Sequence, residues 1–131
     1  MFKTDDRPDN TGKIDLLLKF RWTQQMAVSI VHRGTGLLLF FAIPLFLYIL
    51  GESLASEERF LSVVTLLDLV IVKLIVWVVL SALFYHLVAG AKHLLMDVGV
   101  GETLQGAKIG SSIVLVVSAF CALGLGCWIF I

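Results

Sequence analysis

Two histidines seven residues apart lie in one of the most apolar parts of the chain, FYHLVAGAKHLLMD over residues 84–97. Because seven residues make nearly two helical turns, His86 and His93 share a helix face, roughly 10 Å apart along the axis. His86 is the one deeply placed histidine, with no charge within one turn and with Gly90 leaving space beside it. Two interpretations stay open: an axial ligand of haem, completed by another subunit, or a structural histidine bound to a serine or carbonyl of another helix.

His93 lies near the end of the same segment, beside Lys92 and four residues before Asp97. Residues four apart are neighbours on a helix, so the Asp97 carboxylate is placed to accept a hydrogen bond from the His93 ring. This arrangement suits a capped helix end. It also suits a role beside a haem propionate or in proton delivery.

A second polar group opens the first apolar stretch, in SIVHRGTG over residues 29–36. Ser29 and Arg33 are four residues apart and share a helix face, with His32 adjoining them. A hydroxyl, a fixed cation and a titratable ring suit the polar head of a quinone, or an anion such as a haem propionate or a lipid phosphate. The alternative is a positive anchor that sets the topology of the helix.

The elements that position these groups are three long apolar stretches, over about residues 26–50, 65–96 and 109–131. Each is long enough to cross a bilayer as a helix. Of the 131 residues, 59% are hydrophobic and 15% charged, and the mean hydropathy is +0.98. The sequence therefore predicts an all-α membrane protein with three transmembrane helices after a polar segment, residues 1–25. It leaves no room for a separate soluble catalytic domain, and a net charge of zero gives no indication of nucleic-acid binding.

Charges outside the apolar stretches predict the orientation. Basic residues precede the first stretch and flank the second connection, whereas the first loop is mainly acidic. By the positive-inside rule, the N-terminus and the second connection are cytoplasmic. The basic residues are Lys3, Arg7, Lys13, Lys19, Arg21, Lys92 and Lys108, and the first loop carries Glu52, Glu57, Glu58 and Arg59.

Two further charges, Asp68 and Lys73, lie near the outer end of the second stretch. On one continuous helix, a spacing of five residues places them too far round the axis for an ideal ion pair. We expect Lys73 to extend its ammonium towards the interface and Asp68 to be interfacial.

In combination, residues 29–36 and 86–97 resemble the cytochrome b556 membrane-anchor family of succinate dehydrogenase, respiratory complex II. The family pattern is Ser-Ile-x-His-Arg-x-Ser/Thr-Gly, followed by His-x-x-x-Gly-x-Arg/Lys-His-x-x-x-Asp. Both motifs occur here in that order, at the start of the first stretch and the end of the second. A proline that many relatives carry just before the first motif is absent from RWTQQMAVS.

The resemblance implies roles for the residues of both motifs. His86 would be the axial ligand of a single b-type haem shared with a second anchor subunit. Ser29 and Arg33 would line the ubiquinone site near the cytoplasmic interface. His32 would lie close to a haem propionate and the quinone, Arg33 would contact both, and His93 would belong to the same surroundings.

The resemblance also implies the partners: a flavoprotein, an iron–sulfur subunit, a second hydrophobic anchor and membrane lipid. Electrons from succinate would pass through the first two to quinone, with no succinate-oxidising site on this chain. We expect a multi-pass protein of a bacterial inner membrane, since no mitochondrial transit peptide is seen. The alternatives are the anchor of a quinol:fumarate reductase and a haem-free structural anchor. A small transporter subunit ranks last.

Overall fold

The computed structural model describes residues 23–131, and these residues are helical apart from short connections. The predicted all-α fold is confirmed. The four helices of this part of the chain are α1 (Gln24–Ala55), α2 (Glu57–Asp68), α3 (Val70–Asp97) and α4 (Leu104–Phe130). Most of the predicted N-terminal segment, residues 1–22, lies outside the described residues.

Three of these helices, α1, α3 and α4, are long and apolar enough to cross a membrane, as the sequence predicts. They have 32, 28 and 27 residues. At 1.5 Å per residue each exceeds the ~30 Å of a bilayer's hydrocarbon core, so each projects from it or tilts. Large apolar side chains such as Phe40, Val116 and Phe120 are exposed on the outer surface, which suits contact with lipid.

The helix boundaries differ from the predicted ones at three places, and the first is the end of α1, which continues to Ala55 rather than Leu50. The second apolar stretch is not one helix from Thr65, because the backbone is extended at Leu69 and α3 begins at Val70. The last helix begins at Leu104, five residues earlier than predicted, where the Thr103 side chain accepts a hydrogen bond from the Gly106 N–H. Such caps satisfy the first free N–H groups of a helix.

The interruption at Leu69 corrects the expectation for Asp68 and Lys73. The Lys73 ammonium donates a hydrogen bond to Asp68 Oδ1 at 2.7 Å, so the two residues do form an ion pair. Their spacing on a continuous helix is irrelevant, because the chain leaves the helical path between them. This hydrogen bond lowers the pKa of the Asp68 carboxyl, whose side chain is 78% exposed.

Helices α1, α3 and α4 pack around a small core. Val28, Tyr85, Ala89 and Val114 form one buried cluster, with Val88 packed against it. The Tyr85 hydroxyl donates a 2.9 Å hydrogen bond to the Val28 carbonyl, which ties α3 to the beginning of α1. This cluster fixes the position of α3 along the axis of α1, and therefore which residues of the two polar motifs meet.

Helices α3 and α4 run antiparallel, joined by a short turn. Gly99 and Gly101 have φ values of +86° and +78°, which side-chain-bearing residues rarely adopt. Further along, the Trp77 indole N–H donates to the Ala122 carbonyl at 2.8 Å. The beginning of α3 therefore packs against the end of α4, and the end of α3 packs against the beginning of α4.

Candidate functional site

The site consists of three histidines, His32 of α1 and His86 and His93 of α3, here called the histidine cluster. The rings of His32 and His86 stack, with centroids 4.2 Å apart and planes inclined by 17°. The ring of His93 is tilted by 46° to that of His32, with centroids 5.2 Å apart. The two sequence motifs, separated by about fifty residues in the chain, therefore meet at one place between two helices.

His86 is held by its Nδ1 atom, which lies 3.1 Å from the His32 carbonyl oxygen and 3.2 Å from Thr35 Oγ1. The carbonyl only accepts, so Nδ1 carries the proton and donates to it. The Thr35 hydroxyl also donates to that carbonyl, at 2.8 Å. In the neutral ring the other nitrogen, Nε2, then keeps its lone pair. It makes no hydrogen bond within residues 23–131.

Two glycines make room for the stacked rings. A Cβ atom at Gly36 of α1 would lie 3.0 Å from His86 Cε1, closer than nine in ten real contacts of a Cβ atom. A Cβ atom at Gly90 of α3 would lie 3.4 Å from His32 Nε2. Each glycine thus accommodates the histidine of the facing helix, and Gly36 is the more tightly constrained of the two.

His32 of α1 packs against α3. Its ring lies on His86 in the space beside Gly90. Its Nε2 atom is buried and has no hydrogen-bond partner in the part of the chain that the structure describes. A buried polar atom without a partner is unfavourable, so this nitrogen has unused capacity to bind a polar group.

Ser29 and Arg33 lie on α1, on either side of His32, within the first third of the helix. Ser29 is half-buried, and Arg33 is exposed on the surface. Neither side chain is hydrogen-bonded to another residue of the range 23–131. The arrangement leaves a hydroxyl and a guanidinium accessible beside the histidine cluster.

His93 faces His32 rather than Asp97. No hydrogen bond joins His93 to Asp97 among the described residues, and Asp97 is exposed as the last residue of α3. Furthermore, residues 23–131 hold no group of three or more histidine, cysteine, aspartate or glutamate residues arranged to bind a metal ion. The three imidazoles stack and tilt instead of converging on one point.

Sequence reasoning missed Thr35 and Tyr85. Thr35 contacts His86 directly, and Tyr85 joins α3 to α1 one residue before it. A tyrosine within an apolar helix usually finds a partner for its hydroxyl, so the sequence could have predicted a hydrogen bond from Tyr85 to another helix. No comparable signal indicates that Thr35 would face His86, since that contact depends on how α1 and α3 cross.

Comparison with known proteins gives a consistent result. The family model described as succinate dehydrogenase/fumarate reductase transmembrane subunit matches residues 10–128. The succinate dehydrogenase cytochrome b556 subunit of Coxiella burnetii is 39% identical over 115 residues, covering 87% of this chain and 92% of that protein. The corresponding subunit of Rickettsia felis is 34% identical over 91 residues, 70% of each chain. The mitochondrial cytochrome b560 subunit of Sus scrofa is 31% identical over 108 residues, 81% of this chain and 64% of that protein.

Proposed function

Because the chain belongs to the succinate dehydrogenase/fumarate reductase transmembrane-subunit family, we propose that this membrane anchor of complex II binds one b-type haem and forms part of a ubiquinone site. His86 would be the residue with which this chain binds the haem iron. Ser29 and Arg33 belong to the quinone site. The companion hydrophobic anchor subunit would supply the other protein ligand of the haem iron.

The surroundings of His86 fit a haem ligand. Nδ1 donates to a backbone carbonyl, an arrangement that orients ligating imidazoles and raises their basicity. Nε2 keeps its lone pair in the plane of the ring, and the stacked His32 covers a face of the ring rather than that edge. The unpartnered Nε2 of His32 suits a haem propionate oxygen. A haem held by these residues would supply single-electron transfer.

Arg33 and Ser29 suit the reduction of a quinone. The exposed Arg33 guanidinium stabilises negative charge that develops on a quinone oxygen. The Ser29 hydroxyl hydrogen-bonds a quinone carbonyl or passes on a proton. Both residues lie near one end of an apolar helix, where a hydrophobic quinone reaches them from the bilayer and protons reach them from water.

The remaining assignments follow from family membership and charge. Residues 26–131 are the anchor, and residues 1–25 form a cytoplasmic segment. The positive-inside distribution supports an orientation in which the histidine cluster lies towards the cytoplasmic face, and the bacterial relatives support a bacterial inner membrane. A flavoprotein and an iron–sulfur subunit dock on that face and deliver electrons from succinate. Succinate itself is oxidised elsewhere in the complex.

The free, oriented Nε2 of His86 is the observation that carries the haem assignment. Its test is a dithionite-reduced minus oxidised absorbance spectrum of the intact, affinity-purified complex. We expect His86→Leu to lose or strongly weaken the b-type α-band while the subunit still inserts into the membrane. His93→Leu, a matched change on the same helix face, is expected to keep the band. A normal spectrum for His86→Leu would move the ligand to another residue.

A second candidate function is the anchor of a quinol:fumarate reductase, since the matching family includes both enzymes. The named relatives are all succinate dehydrogenase subunits, which favours succinate oxidation. Assays of the purified complex in both directions distinguish the two. Faster turnover with succinate and ubiquinone supports the first, and faster turnover with a quinol and fumarate supports the second.

A further inference from the structure

A cavity of about 360 Å³ lies between α3 and α4, at the end of the helices where the short turn joins them. Its walls are apolar side chains and glycines, and Lys92 is the one charged residue that lines it. Val100 and Gly101 of the turn close one side. An apolar groove with a single cation resembles the surroundings of an acyl chain below a charged headgroup.

This groove is separate from the histidine cluster. At 100° per residue, Val88, Lys92 and Leu95 are rotated by roughly 200°, 240° and 180° from His86, which places them on the opposite side of α3. His93 is rotated by only about 20° from His86. A molecule in the groove is therefore neither the haem nor the quinone of the proposed site.

A second groove, of about 400 Å³, lies on the other side of a ridge formed by Ile109 and Ile113 of α4. Both isoleucines line both grooves and are about half exposed. Lys108 and Ser112 lie along the second groove. The ridge thus separates two apolar channels, each of which has a lysine beside it.

The two lysines lie at similar heights. The stem of Lys92 crosses α4 at Gly110, where an added Cβ atom would lie 3.4 Å from Lys92 Cγ and 3.6 Å from Lys92 Cε. Lys108 is two residues from Gly110, which corresponds to roughly 3 Å along the axis and about 200° round it, so the two lysines flank the ridge from opposite sides. Neither lysine forms an ion pair with another residue of the range 23–131, where the ion pairs are Arg59–Glu52 and Lys73–Asp68.

We propose that these paired grooves bind an anionic phospholipid with two acyl chains. The chains lie on either side of the Ile109–Ile113 ridge, and the phosphate lies between Lys92 and Lys108. The charge of the site favours an anionic headgroup, since each basic residue near a membrane surface attracts such lipids. Two chains also match two grooves, whereas a single isoprenoid tail would fill one. The carboxylates at this end, Asp97 and Glu102, are exposed to solvent and so are largely screened.

The test uses the intact complex, stripped of lipid in detergent and titrated with dioleoyl phosphatidylglycerol. Native mass spectrometry measures the bound lipid. Phosphatidylcholine with the same chains is titrated separately. We expect tighter binding of phosphatidylglycerol, and about 30-fold weaker binding to the double variant Lys92→Gln/Lys108→Gln, at roughly fivefold for each lysine. Lys73→Gln, the same change at the other end of α3, should leave the affinity unaltered.

A second variant tests the groove without changing charge. Ala91 lines the first cavity and is exposed, so the ring in Ala91→Phe fills the space of an acyl chain. We expect this variant to bind phosphatidylglycerol more weakly, with an unchanged haem spectrum showing that the complex is assembled. Equal affinities for the two lipids would overturn the proposal. So would wild-type affinity in the double variant, or an intact complex that binds no lipid because a partner helix covers the grooves.

Discussion

The polar groups at the two ends of the helical bundle have different kinds of partners. In the histidine cluster, polar groups lie between helices and contact residues more than fifty positions away in the chain. At the other end, around α2, the ion pairs Arg59–Glu52 and Lys73–Asp68 join residues seven and five positions apart. The first arrangement requires two helices to cross correctly, whereas the second requires only local chain geometry.

The difference favours the histidine cluster as the functional end of the bundle. At the α2 end Arg59 and Lys73 each pair with a carboxylate that reaches solvent. Exposed ion pairs of this kind contribute little to stability. In the histidine cluster, by contrast, His32 Nε2 is buried without a partner, and Gly36 holds open the space that the His86 ring occupies. Substitutions should therefore have large effects on cofactor and activity at one end and small effects at the other.

The largest effect is expected from Gly36→Leu. Its side chain would begin 3.0 Å from His86 Cε1 and push the ring away from the His32 carbonyl. We expect most of the b-type α-band of the purified complex to be lost. Gly34→Leu is the matched control, because a Cβ atom there meets nothing within 4 Å. Equal haem contents in the two variants would contradict this account of Gly36.

Arg33→Leu should abolish quinone reduction while leaving the haem spectrum intact. Loss of an oriented cation from a reacting oxygen typically costs on the order of 10²–10³ in rate. The measurement is succinate:ubiquinone reductase activity of the intact complex. Succinate-driven reduction of a soluble dye, which bypasses the membrane site, serves as the control. Near-normal quinone reduction would remove Arg33 from the site.

Tyr85→Phe is expected to have a moderate effect on stability. It removes the buried hydrogen bond from the Tyr85 hydroxyl to the Val28 carbonyl and costs about 1 kcal/mol. Thermal unfolding of the purified complex measures the change. Tyr48→Phe is the control, since the Tyr48 side chain is exposed and makes no hydrogen bond within the described residues. If both variants unfold at the same temperature, the bond does not fix α3 against α1.

Asp68→Asn should have the smallest effect of the four. Lys73 lowers the pKa of Asp68, so the pair stabilises the fold above the ordinary carboxyl pKa, and this contribution is lost as the pH falls through the lowered value. We therefore expect a slight fall in the unfolding temperature at pH 7 and no difference from the wild type in strong acid. A large fall at pH 7, or one that persists in acid, would show that Asp68 has another role.

The sequence by itself determined the three apolar helices and the placement of each polar motif on them. Helical periodicity assigns His86 and His93 to one face of α3, and the structure keeps them there facing α1. The motifs at residues 29–36 and 86–97 also indicated the family that the comparisons show. These features depend on hydropathy and on order along one chain segment, which a sequence carries directly.

Only the tertiary structure decided which residues meet across helices and where the helices stop. The stack of His32 on His86, the contact of Thr35 with His86 and the need for Gly36 all depend on the height and angle at which α1 crosses α3. The Asp68–Lys73 ion pair depends on the interruption at Leu69. A periodic pattern fixes a residue's direction about its own helix axis. Packing between helices fixes which residue it faces.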